Sequence, residues 1–384
     1  MHRRHFLSSF AAATCSVLCA PHIALAERNA RYDRLLVLVE LKGGNDGLNT
    51  VVPHGDRDYY RLRPRLAIPR ERTLPLDDRC GLHPALEPLM TSWRSRELAV
   101  LRGVGYPDPN LSHFRSIAIW DTASAADQVL DDGWVARVFA QSPPPATFAA
   151  DGVVVGSAEG GPLEGAGSRI LRLTDTAQFL RQARLAAPGG RARNAALEHI
   201  LSVEANIAHA AQGLDARRPF STVFPSGPFG AAVRTACEAI GSHGGVAAVK
   251  LSLGGFDTHT QQLGRHEALL KELAAGLAAL RSALVELNRW NDSLVITYAE
   301  FGRRPKENDG GGTDHGTASA HFALGGKVRG GLYGEAPRLD RLDAAGNVHF
   351  SVDFRDVLAT VMERWWDIDS RRVLNATHRP LDFL

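Results

Sequence analysis

Short apolar segments alternate with helical patterns along most of the chain, and this alternation is the feature that most limits how the chain can fold. The apolar segments have the lengths and the bounding residues of buried strands. They lie at residues 35–41, 98–104, 153–155, 246–253, 293–299 and 321–324. Strands that alternate with helices form a mostly parallel sheet that is covered on both faces. The sequence therefore predicts an α/β fold with a mostly parallel central sheet.

Helical patterns fill the intervals between these segments. The clearest runs over residues 262–290, where leucines recur at helical spacing. Further helices are predicted over residues 112–126, 195–212, 229–240 and 353–366. Asp353 stands at the start of the last of these, where a carboxylate can cap the helix.

Gly/Pro-rich stretches at residues 141–147 and 186–190 have the composition of loops rather than of a domain boundary. We therefore expect one domain over residues 27–384.

The first 26 residues have the features of a twin-arginine signal peptide. Arg3 and Arg4 precede Phe6 and Leu7, a short apolar run follows, and Ala-Leu-Ala ends at residue 26 as a cleavage site. The sequence predicts export to the periplasm, with the twin-arginine translocase as a partner, and this pathway carries folded proteins. No later run reaches the roughly 18 apolar residues of a membrane span.

The net charge of the chain excludes nucleic acid as a partner. The chain has 44 Lys and Arg against 42 Asp and Glu, and both excess charges lie in the predicted signal peptide. A neutral mature chain lacks the basic surface that nucleic acid requires, so no nucleic-acid partner is expected.

Cysteine is scarce. Two of the four cysteines lie in the signal peptide, and the remaining Cys80 and Cys237 either pair in an oxidising compartment or are two isolated buried thiols. No Cys-x-x-Cys motif is present, which excludes a cysteine zinc knuckle. The 15 histidines direct the search for chemistry toward imidazole and carboxylate groups instead.

Acidic residues and histidines follow three of the predicted strands and a glycine-rich loop. In open α/β sheets the active site lies beyond the carboxyl ends of the strands. Together these side chains predict a site for one or two divalent metal ions, with Asp and His suiting Zn²⁺ or Mn²⁺ and added carboxylates suiting Mg²⁺ or Ca²⁺. The candidate ligands are Asp46, Asp257, His259, Glu300, Asp314 and His315.

Each candidate ligand also has a structural interpretation. An acid such as Asp257 after a strand often caps a helix, and Asn45-Asp46-Gly47 has the composition of a plain turn. The glycine loop at residues 310–312 is no phosphate loop, since no Gly-Lys-Ser/Thr follows it.

A candidate nucleophile, Ser112, begins the predicted helix that follows the strand at residues 98–104. A serine at a helix N-terminus lies where backbone N–H groups stabilise a developing anion, and metal contact activates it further. Its structural alternative is a helix cap. Arg115, one turn on, can bind an anionic group. His83 is a further candidate ligand, although a histidine in this setting is more often a structural hydrogen-bonding group.

Six motifs carry a resemblance to a known family: Arg3-Arg4 with Phe6-Leu7, Gly43 to Asn49, Ser112-His113-Phe114, Gly254 to His259, Glu300 to Arg303 and Gly312 to Gly316. They resemble those of an exported bacterial family known as domain of unknown function 1501, and the similarity runs from about residue 35 to the C-terminus. That family in turn resembles a distant branch of the alkaline phosphatase and sulfatase superfamily. The resemblance implies a three-layer sandwich with helices on both faces of a mixed central sheet, and a site for one or two metals.

The resemblance assigns roles to some of these residues. Asp46 matches the metal-binding Asp after the first strand, Ser112 the nucleophile, and Asp314-His315 a paired metal ligand. Asp257 and His259 match the ligand pair of the other metal, although two positions separate them where the superfamily has four.

Three further points of the comparison depart from the superfamily pattern or leave it open. Glu300 has no firm match as a metal support. The last metal-binding histidine is either His321 or His349. The absence of a Cys/Ser-x-Pro-x-Arg motif excludes a formylglycine sulfatase.

These observations predict a periplasmic, metal-dependent hydrolase of phosphate or sulfate esters. Ser112 would attack a small anionic ester that Arg115 holds. The alternative is a non-catalytic exported protein that keeps the fold and has a binding or assembly role in the cell envelope.

Overall fold

The computed structural model describes residues 30–165, 167–185, 194–214 and 218–384. The predicted signal peptide and the predicted loop at residues 186–190 lie outside the described residues, so both stay predictions.

All six predicted strands are present, and six short strands accompany them in the described part of the chain. The strands are β1 (Leu35–Lys42), β2 (Val51–Val52), β3 (Leu74–Pro75), β4 (Gly81–Leu82), β5 (Leu98–Gly105), β6 (Ala150–Val155), β7 (Ile170–Leu173), β8 (Val246–Gly254), β9 (Ser293–Tyr298), β10 (Ser319–Leu324), β11 (Gly331–Tyr333) and β12 (Val352–Asp353).

The central sheet has nine strands in the order β11-β5-β10-β9-β1-β8-β6-β7, with β12 also paired to β5. Its pairings are parallel except those of β10, which runs antiparallel to both β5 and β9. The predicted mostly parallel sheet is therefore confirmed. A small antiparallel sheet is formed by β2, β4 and β3.

The helices include all those that the sequence predicts. They are α1 (Gly47–Thr50), α2 (Arg57–Leu62), α3 (Met90–Arg94), α4 (His113–Thr122), α5 (Trp134–Gln141), α6 (Thr176–Ala183), α7 (Ala195–Gly213), α8 (Pro228–Ile240), α9 (Gln262–Glu286), α10 (Phe354–Thr360) and α11 (Arg371–Leu374). Short 3-10 turns lie at Arg70–Arg72, Pro84–Leu89, Gly161–Leu163 and Trp290–Asp292.

The sheet separates two hydrophobic cores. Alternate residues of β1 point to opposite faces, so that Val37 lies in the first core and Leu38 in the second. The first core packs the sheet against α8 and α9, and the second packs it against α4, α5 and α10. Burial on both faces explains why β1 is apolar at every position from Leu35 to Val39 instead of alternating.

Three helices depart from their predicted ends, each for a local reason. Helix α4 stops at Thr122 because Ala123 adopts a left-handed conformation with φ of 54°. Helix α9 ends at Glu286, and Asn288 then turns the chain with φ of 56°. The last helix changes to π-helical geometry over Val361–Trp365, while Asp353 caps its start as predicted.

Cys80 and Cys237 are both buried and unpaired. Of the two alternatives that the sequence leaves open, the structure has the isolated thiols. Burial raises the pKa of the Cys80 thiol to about 12, so it stays neutral and packs as a small apolar group.

Candidate metal centre at the carboxyl ends of the strands

Strands β1, β8 and β9 are neighbours and run parallel, so the loops that follow them leave the sheet at the same edge. Strand β5 runs in the same direction, since β10 is antiparallel to both β5 and β9. Helix α4, which comes after β5, therefore begins beside the loops after β8 and β9. This topology brings together side chains that are up to about 200 positions apart in sequence.

Three side chains converge there, close enough together to hold one metal ion. Each of His113, Asp257 and His315 offers one ligand atom, and these atoms all lie within 4.8 Å of one another. His259 joins them, because its Nε2 lies 3.0 Å from both His315 Nε2 and Asp257 Oδ1. We call these four residues the His–Asp cluster.

Hydrogen bonds fix which ring nitrogen of each histidine faces the cluster. His315 Nδ1 donates to the carbonyl oxygen of Leu111 at 2.8 Å, and a carbonyl can only accept, so this nitrogen carries the hydrogen. His113 Nδ1 lies 2.7 Å from Glu300 Oε1, and His259 Nδ1 lies 3.3 Å from Asp314 Oδ1.

The Nε2 atoms of all three rings consequently turn toward one another and toward the Asp257 carboxylate. Burial also lowers the pKa of His315, which favours the neutral ring.

Asp257 supplies the negative charge of the cluster. Partial burial acts to raise its pKa, but the hydrogen bond and the positive charge of Arg303 outweigh burial and hold this pKa at about 2. Arg303 Nη2 donates to Asp257 Oδ1 at 2.6 Å. Oδ2 lies 3.5 Å from His113 Nε2. The carboxylate is therefore ionised at neutral pH, beside three imidazole Nε2 atoms.

Arg303 organises the loops around the cluster. Its side chain is fully buried, and its guanidinium donates to the carbonyl oxygens of Gly43, Gly44, Phe256 and Thr313. These residues follow β1, follow β8 and belong to the glycine-rich loop. One side chain thus connects the segments that carry or border the cluster.

Of the residues that the sequence proposes as ligands, Asp257, His259 and His315 lie in the cluster. Glu300 and Asp314 lie behind it, where they accept from the Nδ1 atoms of His113 and His259. Glu300 is buried and also accepts from the backbone N–H of Gly43.

Asp46 lies elsewhere. Its fully buried carboxylate forms a bidentate ion pair with Arg63 and accepts from Gln262 Nε2 and from the backbone N–H of Leu48. Burial acts to raise the pKa of Asp46, but the charge of Arg63 outweighs burial and lowers it. The structure therefore does not bring Asp46 into the His–Asp cluster.

Ser112 is the exposed N-cap residue of α4, directly before His113. Its hydroxyl forms no capping hydrogen bond, so no hydrogen bond supports the interpretation of Ser112 as only a helix cap. Arg115 is engaged in the fold, where its Nη2 donates to the carbonyl oxygens of Ala126 and Gln128.

The remaining candidate histidines lie outside the cluster. His83 caps a 3-10 turn by accepting from the backbone N–H of Ala85, a structural role. His321 is buried against Trp120, and neither of its ring nitrogens has a hydrogen-bond partner in the described residues. His349 is exposed.

His113 and the connecting role of Arg303 are absent from the candidate ligands that the sequence suggests. The signal for His113 was its position next to Ser112, at the start of a helix that follows a strand of the same sheet. A histidine beside a candidate nucleophile reaches the same edge of the sheet as the nucleophile. For Arg303, a charged residue directly after a strand gave no sign that it would be buried.

Within the part of the chain that the structure describes, no helix combines the length and the apolarity needed to cross a bilayer.

A family model described as "Protein of unknown function (DUF1501)" matches residues 77–379, well over half of the chain. Among curated proteins, none matches this sequence.

Solved structures with a similar fold include the C-terminal periplasmic domain of EptC from Escherichia coli in complex with Zn, at 11% identity and a TM-score of 0.36, covering 76% of this chain and 72% of that one. The lipoteichoic acid synthase LtaP from Listeria monocytogenes is similar at 11% identity and a TM-score of 0.34, with 79% and 66% covered. The alkaline phosphatase of the Antarctic bacterium TAB5 is similar at 13% identity and a TM-score of 0.33, with 78% and 94% covered.

Proposed function

The chain belongs to the DUF1501 family, and we propose that it is an exported, metal-dependent hydrolase of phosphate or sulfate esters whose metal is held by the His–Asp cluster. The observation that carries this proposal is the convergence of three imidazole Nε2 atoms on one ionised carboxylate. His259 and His315 present their Nε2 atoms to each other at 3.0 Å, and hydrogen bonds at Nδ1 hold both rings in place. With its hydrogen at Nδ1, each ring offers an Nε2 lone pair, and a divalent cation is the group that these facing lone pairs would bind.

The donor chemistry fits a transition metal better than a hard cation. Imidazole combined with a carboxylate suits Zn²⁺ or Mn²⁺, whereas Mg²⁺ and Ca²⁺ prefer ligand sets made of oxygen alone. Glu300 and Asp314 orient the histidines in the manner of the carboxylates that stand behind metal-bound histidines. A bound divalent ion supplies a Lewis acid that stabilises negative charge on a substrate oxygen.

The residues of this chain have distinct roles in the proposal. Ser112, at the N-terminus of the ten-residue helix α4, is the nucleophile, and the backbone N–H groups of the first turn face the anion that it attacks. Its oxygen forms a bond to phosphorus or sulfur as the bond to the ester oxygen breaks. The hydroxyl proton passes to solvent, and the departing alcohol takes a proton from solvent. Water then cleaves the seryl ester, which releases the inorganic anion and restores the hydroxyl.

Arg115 and Asp46 are positioning residues in this proposal. Arg115 holds the chain at residues 126–128 against α4, and Asp46 anchors α1 through Arg63. In this proposal Asp46 is not a metal ligand, and Arg115 does not hold the substrate anion.

Metal titration of the purified mature protein tests the proposal. We expect one tightly bound Zn²⁺ or Mn²⁺ per chain, measured by elemental analysis and calorimetry. His113→Ala should weaken binding at least about 100-fold, and Glu300→Gln about 10- to 100-fold. His349→Ala is the matched control, because His349 is exposed and lies outside the cluster. A protein that binds no divalent ion, or a His113→Ala variant with unchanged affinity, contradicts the metal site.

Turnover of p-nitrophenyl phosphate and p-nitrophenyl sulfate tests the nucleophile. We expect Ser112→Ala to lower kcat at least about 10³-fold while the free energy of unfolding changes little. A serine that only caps α4 would instead cost roughly 1 kcal/mol of stability and leave turnover nearly unchanged.

A second candidate function is a non-catalytic, metal-binding exported protein with a role in the cell envelope. It is favoured by the engagement of Asp46 with Arg63 and of Arg115 with backbone carbonyls, because the sequence suggested Asp46 as a metal ligand and Arg115 as the group that holds the anion. Stoichiometric metal binding without turnover of either ester would support it.

A further inference from the structure

A cavity of about 390 Å³ lies at the same edge of the sheet as the His–Asp cluster, on the β5 side of the β1–α1 loop. Its lining includes Gly47 and Ser319, and none of the four cluster residues. Arg303 borders it, while the Arg303 guanidinium contacts Asp257. The volume falls within the range of about 300–1,000 Å³ that is usual for small-molecule sites.

The floor of this cavity is apolar. Leu48, Val51, Ala320 and Val348 are buried residues of the lining, and the neutral Cys80 thiol completes the surface. A floor of this kind contributes affinity for an aliphatic or aromatic group through burial of apolar area.

The wall carries charges of both signs. Five charged residues other than Arg303 line it, and none of them forms an ion pair with another among the described residues. They are Asp56, Asp77, Arg79, Arg102 and Glu335.

Several of these groups are still available for a ligand. The side chains of Arg79 and Glu335 make no hydrogen bond with any described residue and are exposed. Arg102 donates to the Gly334 carbonyl oxygen through Nη2, but its Nε has no partner in the described part of the chain.

From this lining we infer a second small-molecule site, which binds a zwitterion with an apolar body: an α-amino acid or a dipeptide with aliphatic or aromatic side chains. The apolar body lies on the floor formed by Leu48 and Val51. Glu335 binds the ammonium group, and Arg79 with Arg102 binds the carboxylate. A purely apolar ligand would leave both signs of charge unmatched, and a simple anion or cation would leave one of them unmatched.

Calorimetry on the mature protein with leucyl-leucine as the probe tests this inference. We expect saturable binding with a Kd between about 1 μM and 1 mM. Glu335→Gln should weaken binding about threefold to tenfold, as should Arg79→Gln. Arg94→Gln is the matched control, because Arg94 is also exposed but does not line the cavity.

Two modified probes assign the ends of the ligand. N-acetyl-leucyl-leucine lacks the ammonium charge and should bind more weakly than leucyl-leucine, and Glu335→Gln should remove that difference. Leucyl-leucinamide lacks the carboxylate and should also bind more weakly than leucyl-leucine, and Arg79→Gln should remove that difference. Equal affinity for all three probes would overturn the zwitterion assignment.

Ala336→Trp fills the cavity from a half-buried position, where a large side chain need not disturb the core. We expect this variant to keep the thermal stability of the parent protein and to lose binding of leucyl-leucine. Absence of saturable binding to the parent protein would overturn the site. Undiminished binding to a folded Ala336→Trp variant would overturn its location.

Discussion

Replacing Arg63 by Met tests whether Asp46 has a structural role. The Arg63 side chain is fully buried and donates twice to the Asp46 carboxylate, at 2.6 and 3.0 Å. It also donates to Asn49 Oδ1 and to the carbonyl oxygens of Arg304 and Pro305. Methionine keeps much of the volume and removes the charge and all five hydrogen bonds.

The expected cost follows from what remains around Asp46. Its carboxylate keeps hydrogen bonds from Gln262 Nε2 and the Leu48 N–H but loses its counter-charge while remaining fully buried. Removing one partner of a buried pair costs about 3–5 kcal/mol, because the other charge is left uncompensated. The midpoint of urea unfolding should therefore fall by roughly 1 M or more.

Urea unfolding followed by tryptophan fluorescence measures this cost. The matched control is Arg61→Met, because Arg61 pairs with Asp58 on the exposed side of α2 and should contribute only about 0.3–0.5 kcal/mol. Adding Asp46→Leu to Arg63→Met removes both charges, so the double variant should be more stable than Arg63→Met alone.

Two results would refute this reasoning. One is an Arg63→Met variant that loses less than about 1 kcal/mol, since the pair would then not be holding a buried charge. The other is an Asp46→Asn variant with weakened metal affinity, which would make Asp46 a ligand after all.

Three further predictions concern other parts of the molecule. Burial lowers the pKa of three histidines from 6.5 to between about 3 and 4, so on acidification the unfolded chain takes up protons before the folded chain does. Between pH 6.5 and 4 the free energy of unfolding should therefore fall by about 1.4 kcal/mol per pH unit for each of these histidines. Urea unfolding at a series of pH values measures this slope. The three are His83, His266 and His321. Lys250→Met, which leaves the buried Glu40 carboxylate without its partner at 2.8 Å, should cost about 3–5 kcal/mol in urea unfolding, whereas Lys327→Met at an exposed pair should cost less than about 1 kcal/mol. Changing Arg3 and Arg4 to Lys should leave the precursor in the cytoplasm, and equal periplasmic yield of the double variant would reject the twin-arginine prediction.

The sequence predicted the sheet well because its strands are buried on both faces and read as mostly apolar runs. The short strands β7, β11 and β12 escaped prediction because Arg172, Gly331 and Asp353 leave them without a continuous apolar run. The antiparallel direction of β10 was equally hidden, since no periodicity reports the direction of a strand.

The site was predicted only in part, because the sequence shows where a side chain stands along the chain but not which side chains it contacts in the fold. Asp46 and Asp257 both follow strands of the same sheet, and sequence treats them alike. Arg63 lies buried against Asp46, whereas Asp257 remains half-exposed beside three histidines. Whether a carboxylate meets a guanidinium or imidazole nitrogens depends on tertiary contacts between segments that sequence reading cannot pair.

The buried Arg303 guanidinium bears on which ion the His–Asp cluster would hold, if that cluster is the metal site proposed above. It connects the backbone after β1 and β8 to the glycine-rich loop, so these segments hold their positions through protein contacts. Little conformational entropy would then be lost on binding an ion. Occupancy of such a site would follow the free concentrations of competing divalent ions where the chain folds.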